Sequence, residues 1–326
     1  MRVAAVAVLV AVVVCGCGSS SGSPSAGANH GSARVTRSAG PSQTPVSLRL
    51  ALSLGPLPAA RSGAAAAVLG SSIVVSGGLS AGGASSSTVF LVGPSGARQA
   101  LSLLPSPVHA AAAAAIGGRL LLFGGGEVEG TDQIVEVLPG PSRSIAALPQ
   151  PLSDLVAVPI SGVAYVLGGW NGTTPNRDVY AVHGDGTSER VGGLPVGVRY
   201  PAAGALGGAL IVAGGETAAG EPTADVWAFD PSAGTVMRLP DLPVATDHTS
   251  GAVVGGRFCV LGGLRAGVFT DRILCWTPGE SHWLSAGRLP VPLADAAAVS
   301  FDGGIAVIGG RGSNGPVSTI TVLSPS

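Results

Sequence analysis

Residues 194–230, LPVGVRYPAAGALGGALIVAGGETAAGEPTADVWAFD, decide the fold. A Leu-Pro pair opens the stretch and a run of small residues follows. Next come Gly207-Gly208, the apolar run Ala209-Leu210-Ile211-Val212-Ala213, the doublet Gly214-Gly215, a polar loop and an apolar segment from Val226. Short apolar runs punctuated by paired glycines are the pattern of antiparallel strands joined by tight turns.

The stretch recurs along the chain. Four mostly apolar residues precede Gly77-Gly78, Gly124-Gly125, Gly168-Gly169, Gly214-Gly215, Gly262-Gly263 and Gly309-Gly310, at spacings of 47, 44, 46, 48 and 47. A Leu-Pro proline (Pro58, Pro105, Pro149, Pro195, Pro243, Pro290) stands 19 residues ahead of the first glycine in every unit. An apolar segment opens 11 or 12 residues after that glycine, at Val89, Val135, Val179, Val226, Ile273 and Ile320. Three markers in phase over six units specify a repeat, and periods of this length belong to propellers or solenoids.

Each unit reads as four strands, a to d. Strand a is rich in alanine, strand b ends in the doublet and is apolar on both faces, strand c starts at the Val/Ile marker, and strand d runs into the next Leu-Pro. Small side chains suit the strand that converges with its copies on a central axis, so the expectation is an all-β, six-bladed propeller over residues 46–326. Ser47–Ser53 reads as a strand, and Thr319–Ser324 is a strand c with no strand d after it. The N-terminal strand is therefore expected to close the last blade.

Composition agrees. Among 326 residues, 52 Gly and 25 Pro exclude a long-helix protein. A hydrophobic content of 46 %, charged residues at 11 % and a mean hydropathy of +0.50 exclude disorder. Net charge is −1 and every base is Arg. No basic stripe exists to neutralise phosphates, which excludes nucleic acid as a partner.

The N-terminus reads as an address. Met1-Arg2 precedes the apolar run Val3–Val14, too short to span a bilayer but suited to a secretion signal. Gly16-Cys17 looks like a bacterial lipobox, so residues 1–16 are expected to be removed and Cys17 lipidated. Residues 17–45 are a Ser/Gly/Pro-rich tether. The expected location is extracytoplasmic in the bacterial cell envelope, with membrane contact through the lipid anchor only.

The b–c loops and the d–a crossovers emerge on one face of such a propeller, and the polar residues gather there. The crossovers carry Arg61, His109, Asp154, Arg199, Tyr200, Asp247, His248 and Asp295; the loops add Glu127, Glu129, Trp170, Asn171, Arg177, Glu216, Glu221, Arg265 and Arg311. In a chain with few charges this concentration marks the candidate ligand face, as loops on a rigid scaffold commonly do. Arg, Asp, His and aromatic side chains around one axis suit hydroxyls and carboxylates of a sugar. An envelope protein is an equally compatible partner. No metal ligand set and no cofactor motif is read from the sequence. Cys259 and Cys275 fall opposite each other on strands b and c of the fifth unit, as a disulfide or as two buried thiols.

The apolar-strand-Gly-Gly signature, the later strand as in Asp225-Val226-Trp227-Ala228-Phe229-Asp230, and the Leu-Pro before the next unit resemble kelch repeats. The kelch pattern also places a Trp on strand d; Trp283 stands near that position in one unit and Met237 in another. The resemblance implies a propeller working as a binding or interaction module. Copper oxidases of the galactose oxidase type share this architecture, but the 3 Tyr and 5 His of this chain supply no such copper site. A carbohydrate-active alternative is implied by six-bladed kelch-like proteins that act on sialic acid, a mutarotase or epimerase chemistry needing a positioned acid/base and an Arg.

Overall fold

A computed structural model of the chain describes residues 47–126 and 130–326. The signal, Cys17 and the tether, like Glu127 and Glu129, lie outside the described residues. Among the described residues there is no helix.

The unit that opened the reading folds as expected. Strand a (Ala202–Leu206), strand b (Ala209–Ala213), strand c (Val226–Asp230) and strand d (Thr235–Arg238) pair in chain order as an antiparallel sheet. The first blade (Ala65–Leu69, Ser72–Ser76, Val89–Val92, Arg98–Ala100) and the fifth (Ser250–Val254, Arg257–Leu261, Arg272–Trp276, Leu284–Arg288) repeat it. The second and third blades form one seven-stranded sheet, because Arg143–Ile160 runs unbroken as strand d of one and strand a of the other. At Leu148-Pro149 the strand bulges without ending: its pairing to blade 2 jumps from Gln133↔Ala147 to Thr131↔Leu152, and its pairing to blade 3 begins at Trp170↔Ser153.

The sixth blade holds Ala297–Phe301, Gly304–Ile308 and Thr319–Pro325, and Leu48–Pro56 is its outermost strand. The N-terminal strand thus closes the ring, in a register from Leu48↔Pro325 to Pro56↔Thr319.

Six apolar clusters fill the six spaces between neighbouring blades. Strand b is buried on both faces because it sits mid-blade with a neighbouring sheet on each side. The Leu of every Leu-Pro pair (Leu57, Leu104, Leu148, Leu194, Leu242, Leu289) is buried in one of these clusters, where a leucine contributes about 2 kcal/mol. Trp283 is also buried, edge-on to Phe258, whereas Met237 is exposed and carries no packing role.

The doublets join the blades. The second glycine of each donates its N–H to a carbonyl in the next crossover: Gly78 to Val108, Gly125 to Leu152, Gly169 to Val198, Gly215 to Thr246, Gly263 to Leu293 and Gly310 to Arg61, at 2.7–2.9 Å. Each acceptor stands three residues after its Leu-Pro proline. The last bond, from the sixth blade to the first, completes the circle. Cys259 pairs with Cys275 in register, and the two are joined as a disulfide.

Candidate functional site

Each crossover must turn sharply from the blade rim down into the axial strand. One residue in every unit does so with a left-handed backbone: Gly63 (φ 56°), Ala110 (53°), Asp154 (59°), Tyr200 (55°), His248 (49°) and Asp295 (53°). All six stand five residues after the Leu-Pro proline. Their backbones link around the channel mouth, with N–H donors of Gly63 to Asp295, Ala110 to Gly63, Asp154 to Ala110, Tyr200 to Asp154 and Asp295 to His248, at 2.8–3.0 Å. A left-handed conformation costs a residue other than glycine about 1 kcal/mol, and such strain tends to gather at functional positions.

This ring rims an axial cavity of about 190 Å³. Below the rim, Ala66, Ala113, Ala157, Ala203, Gly251 and Ala298 form a waist of small residues, each eight positions after its proline. The same six residues cap a second cavity of about 280 Å³ towards the opposite face, lined there by Val68, Ala115, Pro159, Ala205, Val253 and Ser300. The chemistry lies at the first mouth, and it is lopsided. Blades 1 and 2 supply no functional side chain to the rim, whereas blades 3 to 6 supply Asp154, Tyr200, His248 and Asp295.

Burial is the largest influence on Asp154 and raises its carboxyl from the ordinary 3.8 to about 6. Hydrogen bonds from Tyr200 and Ser153 and the charge of Arg199 pull it down, and the charge of Asp295 adds to the rise. Burial, then the Asp154 charge, raises the Tyr200 phenol above its usual range. Tyr200 stacks on His248 with centroids 3.7 Å apart and planes 19° apart. The Arg199 guanidinium lies over both the Tyr200 ring (5.2 Å) and the Trp170 ring (4.9 Å), extending the stack into the b–c loop of blade 3. Glu216 holds Arg199 through Oε1, at 2.9 Å from Nε and 2.5 Å from Nη2. Arg311 donates from Nε to Asp295 Oδ2, and its guanidinium lies over Phe269.

The remaining candidates fall elsewhere. Arg61 does not reach the channel: it is 5 % exposed and its Nη1 donates to Gly77 O and Thr88 Oγ1, both at 2.7 Å. Its position, three after the proline, holds buried Val108, Leu152, Val198 and Leu293 in other blades, so its side chain is directed into the fold. His109 precedes the rim position and its Nδ1 meets Ser85 Oγ at 2.8 Å. Burial, then the Arg272 charge, lowers the Arg265 guanidinium, and its Nε is enclosed without a hydrogen-bond partner.

The sequence reading found no metal ligand set. The structure brings Glu216, Asp247 and His248 together, with one donor atom from each within 4.8 Å of the others. Distance along the chain hid the group. Asp247 and His248 are neighbours in the blade 5 crossover, but Glu216 comes from the b–c loop of blade 4.

Six four-stranded blades, a doublet staple in each and one rim of crossovers define a β-propeller. The chain carries a kelch repeat within this propeller: the Kelch motif family model matches residues 198–243, the fourth unit. Among curated proteins, it is 27 % identical over 168 residues to Kelch-like protein 35 of Mus musculus, covering 51 % of this chain and 28 % of that protein. It is 33 % identical over 103 residues to Kelch repeat protein M-T8 of Myxoma virus (strain Lausanne), covering 31 % of this chain and 20 % of that protein. The matched segments thus span about a quarter of the length of these relatives. The solved structure of YjhT superposes with a TM-score of 0.73 at 16 % identity, over 83 % of this chain and 96 % of that one, a likeness of fold.

Proposed function

We propose that the chain is a lipid-anchored, extracytoplasmic kelch propeller that binds a hydroxyl-rich ligand, the terminal unit of a glycan, in its axial mouth. The observation that carries this reading is the rim, in which Asp154, Tyr200, His248 and Asp295 converge over a small-residue shaft. A pocket of this size, with a few convergent polar groups, suits one sugar unit better than a broad protein surface. Arg199 and Arg311 are already engaged by Glu216 and Asp295, which favours a neutral sugar over an acidic one. The Cys259–Cys275 disulfide supports the extracytoplasmic part, because such bonds persist in oxidising compartments. Cys17 remains the proposed lipid attachment.

A second reading, a sugar mutarotase or epimerase, is favoured by Asp154. A carboxyl titrating near pH 6 beside a phenol can pass a proton in either direction, as opening and closing a sugar ring requires. Glycan-array binding and mutarotation of free neutral and sialic sugars test both readings, using wild type and Asp154→Asn. Binding lost in the variant without mutarotation supports the module, and mutarotation lost in the variant supports the enzyme. Wild type inactive in both assays, or a variant equal to wild type, removes the axial site from consideration and leaves envelope proteins as the partners to seek.

A further inference from the structure

On the flank of the mouth, between blades 4 and 5, the Glu216, Asp247 and His248 group has a feature that ordinary polar clustering does not explain. Asp247 is 8 % exposed, yet its Oδ1 is closed off from solvent without a hydrogen-bond partner, and so is Nδ1 of His248. These two atoms lie 3.3 Å apart in a geometry that makes no hydrogen bond between them. A carboxylate oxygen and an imidazole nitrogen enclosed in this way are costly to leave unsatisfied.

Their separation suits a shared ion. Two ligands about 2.1 Å from a tetrahedral centre stand about 3.4 Å from each other. The imidazole is fixed by its stack on Tyr200. The carboxylate of Glu216 is oriented by Arg199, which takes Oε1 and leaves the other oxygen with lone pairs to offer. A ligand carboxylate oriented by its own hydrogen-bond partner is the usual construction around a bound metal. The Arg199 charge opposes a cation nearby, while the two carboxylates outnumber it.

We propose that Glu216, Asp247 and His248 form a divalent metal site joining blades 4 and 5, with Zn²⁺ or Mn²⁺ as the class that one imidazole and two carboxylates suit. An ion there would hold the blade 4 loop against the blade 5 crossover, and with it the face of His248 on which Tyr200 stacks. The group shares His248 with the rim, but no sugar enters its test, so the two readings stand or fall separately.

The full-length chain, stripped with a chelator, is titrated with Zn²⁺ and Mn²⁺ by calorimetry and with Co²⁺ as a visible-absorption probe of coordination. One equivalent is expected to bind, and His248→Gln and Asp247→Asn are each expected to weaken it by at least about tenfold, with near-ultraviolet circular dichroism confirming their fold. Glu216→Gln, on a loop outside the sheets, replaces either variant that fails to fold. Absence of both heat and a Co²⁺ band in folded wild type at millimolar metal overturns the site and leaves a simple Asp247–His248 ion pair. Binding retained in any folded variant overturns it equally, because the metal is then held elsewhere.

Discussion

Asp154 combines a left-handed backbone with a half-buried carboxylate at the rim, and both cost stability. Its carboxyl is raised, so the folded chain holds a proton between about pH 4 and pH 6 that the unfolded chain has released. The protonated form's advantage is complete below the ordinary 3.8 and is lost as pH rises through about 6. At pH 7 the charged group is a burden of up to about 3 kcal/mol. Asp154→Asn is therefore expected to stabilise the chain at pH 7 by a substantial part of that amount and to leave it nearly unchanged at pH 3.5. Urea unfolding at the two pH values measures this; equal effects at both would mean that the charge carries no burden. A variant that gains stability as it loses ligand is the usual trade at a site. The polar character of the rim is legible in the sequence, but its membership is sharper in the structure. Arg61 and Asp154 both follow a Leu-Pro pair, and only the offset of three against five separates a buried side chain from a rim side chain. Counting from the proline in all six units shows it, because offset three is apolar in most of them.

At the scale of the strand, the doublet does more than end strand b. Gly262 (φ 62°) receives the approach of the next blade: a methyl group there would collide with the Leu293 carbonyl, the acceptor of the Gly263 N–H. Gly255, in the a–b turn of the same blade, has φ 54° and no neighbour nearer than Arg257 Nη1 at 3.6 Å. Backbone strain is matched and only the contact differs. Gly255→Ala is expected to cost about 1 kcal/mol, and Gly262→Ala about 3 kcal/mol or more. Similar losses in urea unfolding would show that the blades do not depend on this approach. The position of each doublet is plain in the sequence because glycine has few substitutes there. Its partner is not, since the acceptors are carbonyls of Arg61, Val108, Leu152, Val198, Thr246 and Leu293, and every residue has a carbonyl. For the same reason the long strand Arg143–Ile160 escapes a sequence reading: backbone pairing on either side of a bulge at residues 148–151 carries it past Pro149 and Pro151, where proline suggests a break.

For the whole molecule, closure rests on Leu48–Pro56. This strand pairs along Thr319–Pro325 and buries Leu48 and Leu54, leaving Leu50 and Leu52 on the outer surface. Its removal would expose the strand edge of the sixth blade and open the clusters on both of its sides. A chain lacking Leu48–Pro56 is expected to lose its single cooperative unfolding transition; an unchanged urea midpoint would show that the ring holds without it. Architecture is the most legible level, because six copies of one pattern leave few ways to bury strands that are apolar on both faces. The Glu216, Asp247 and His248 group is the least legible, as it exists only once two blades stand side by side.

The staple from each doublet to the next crossover has a further consequence. Its six bonds form a circle with no first member, and the Ser326 N–H already meets the Ser47 carbonyl at 2.9 Å. The order in which the blades are strung is thus separable from the order in which they stand. A circularly permuted chain, with residues 47 and 326 joined and new ends cut at Gly255-Gly256, would keep every staple while moving the seam from the sixth blade to the fifth.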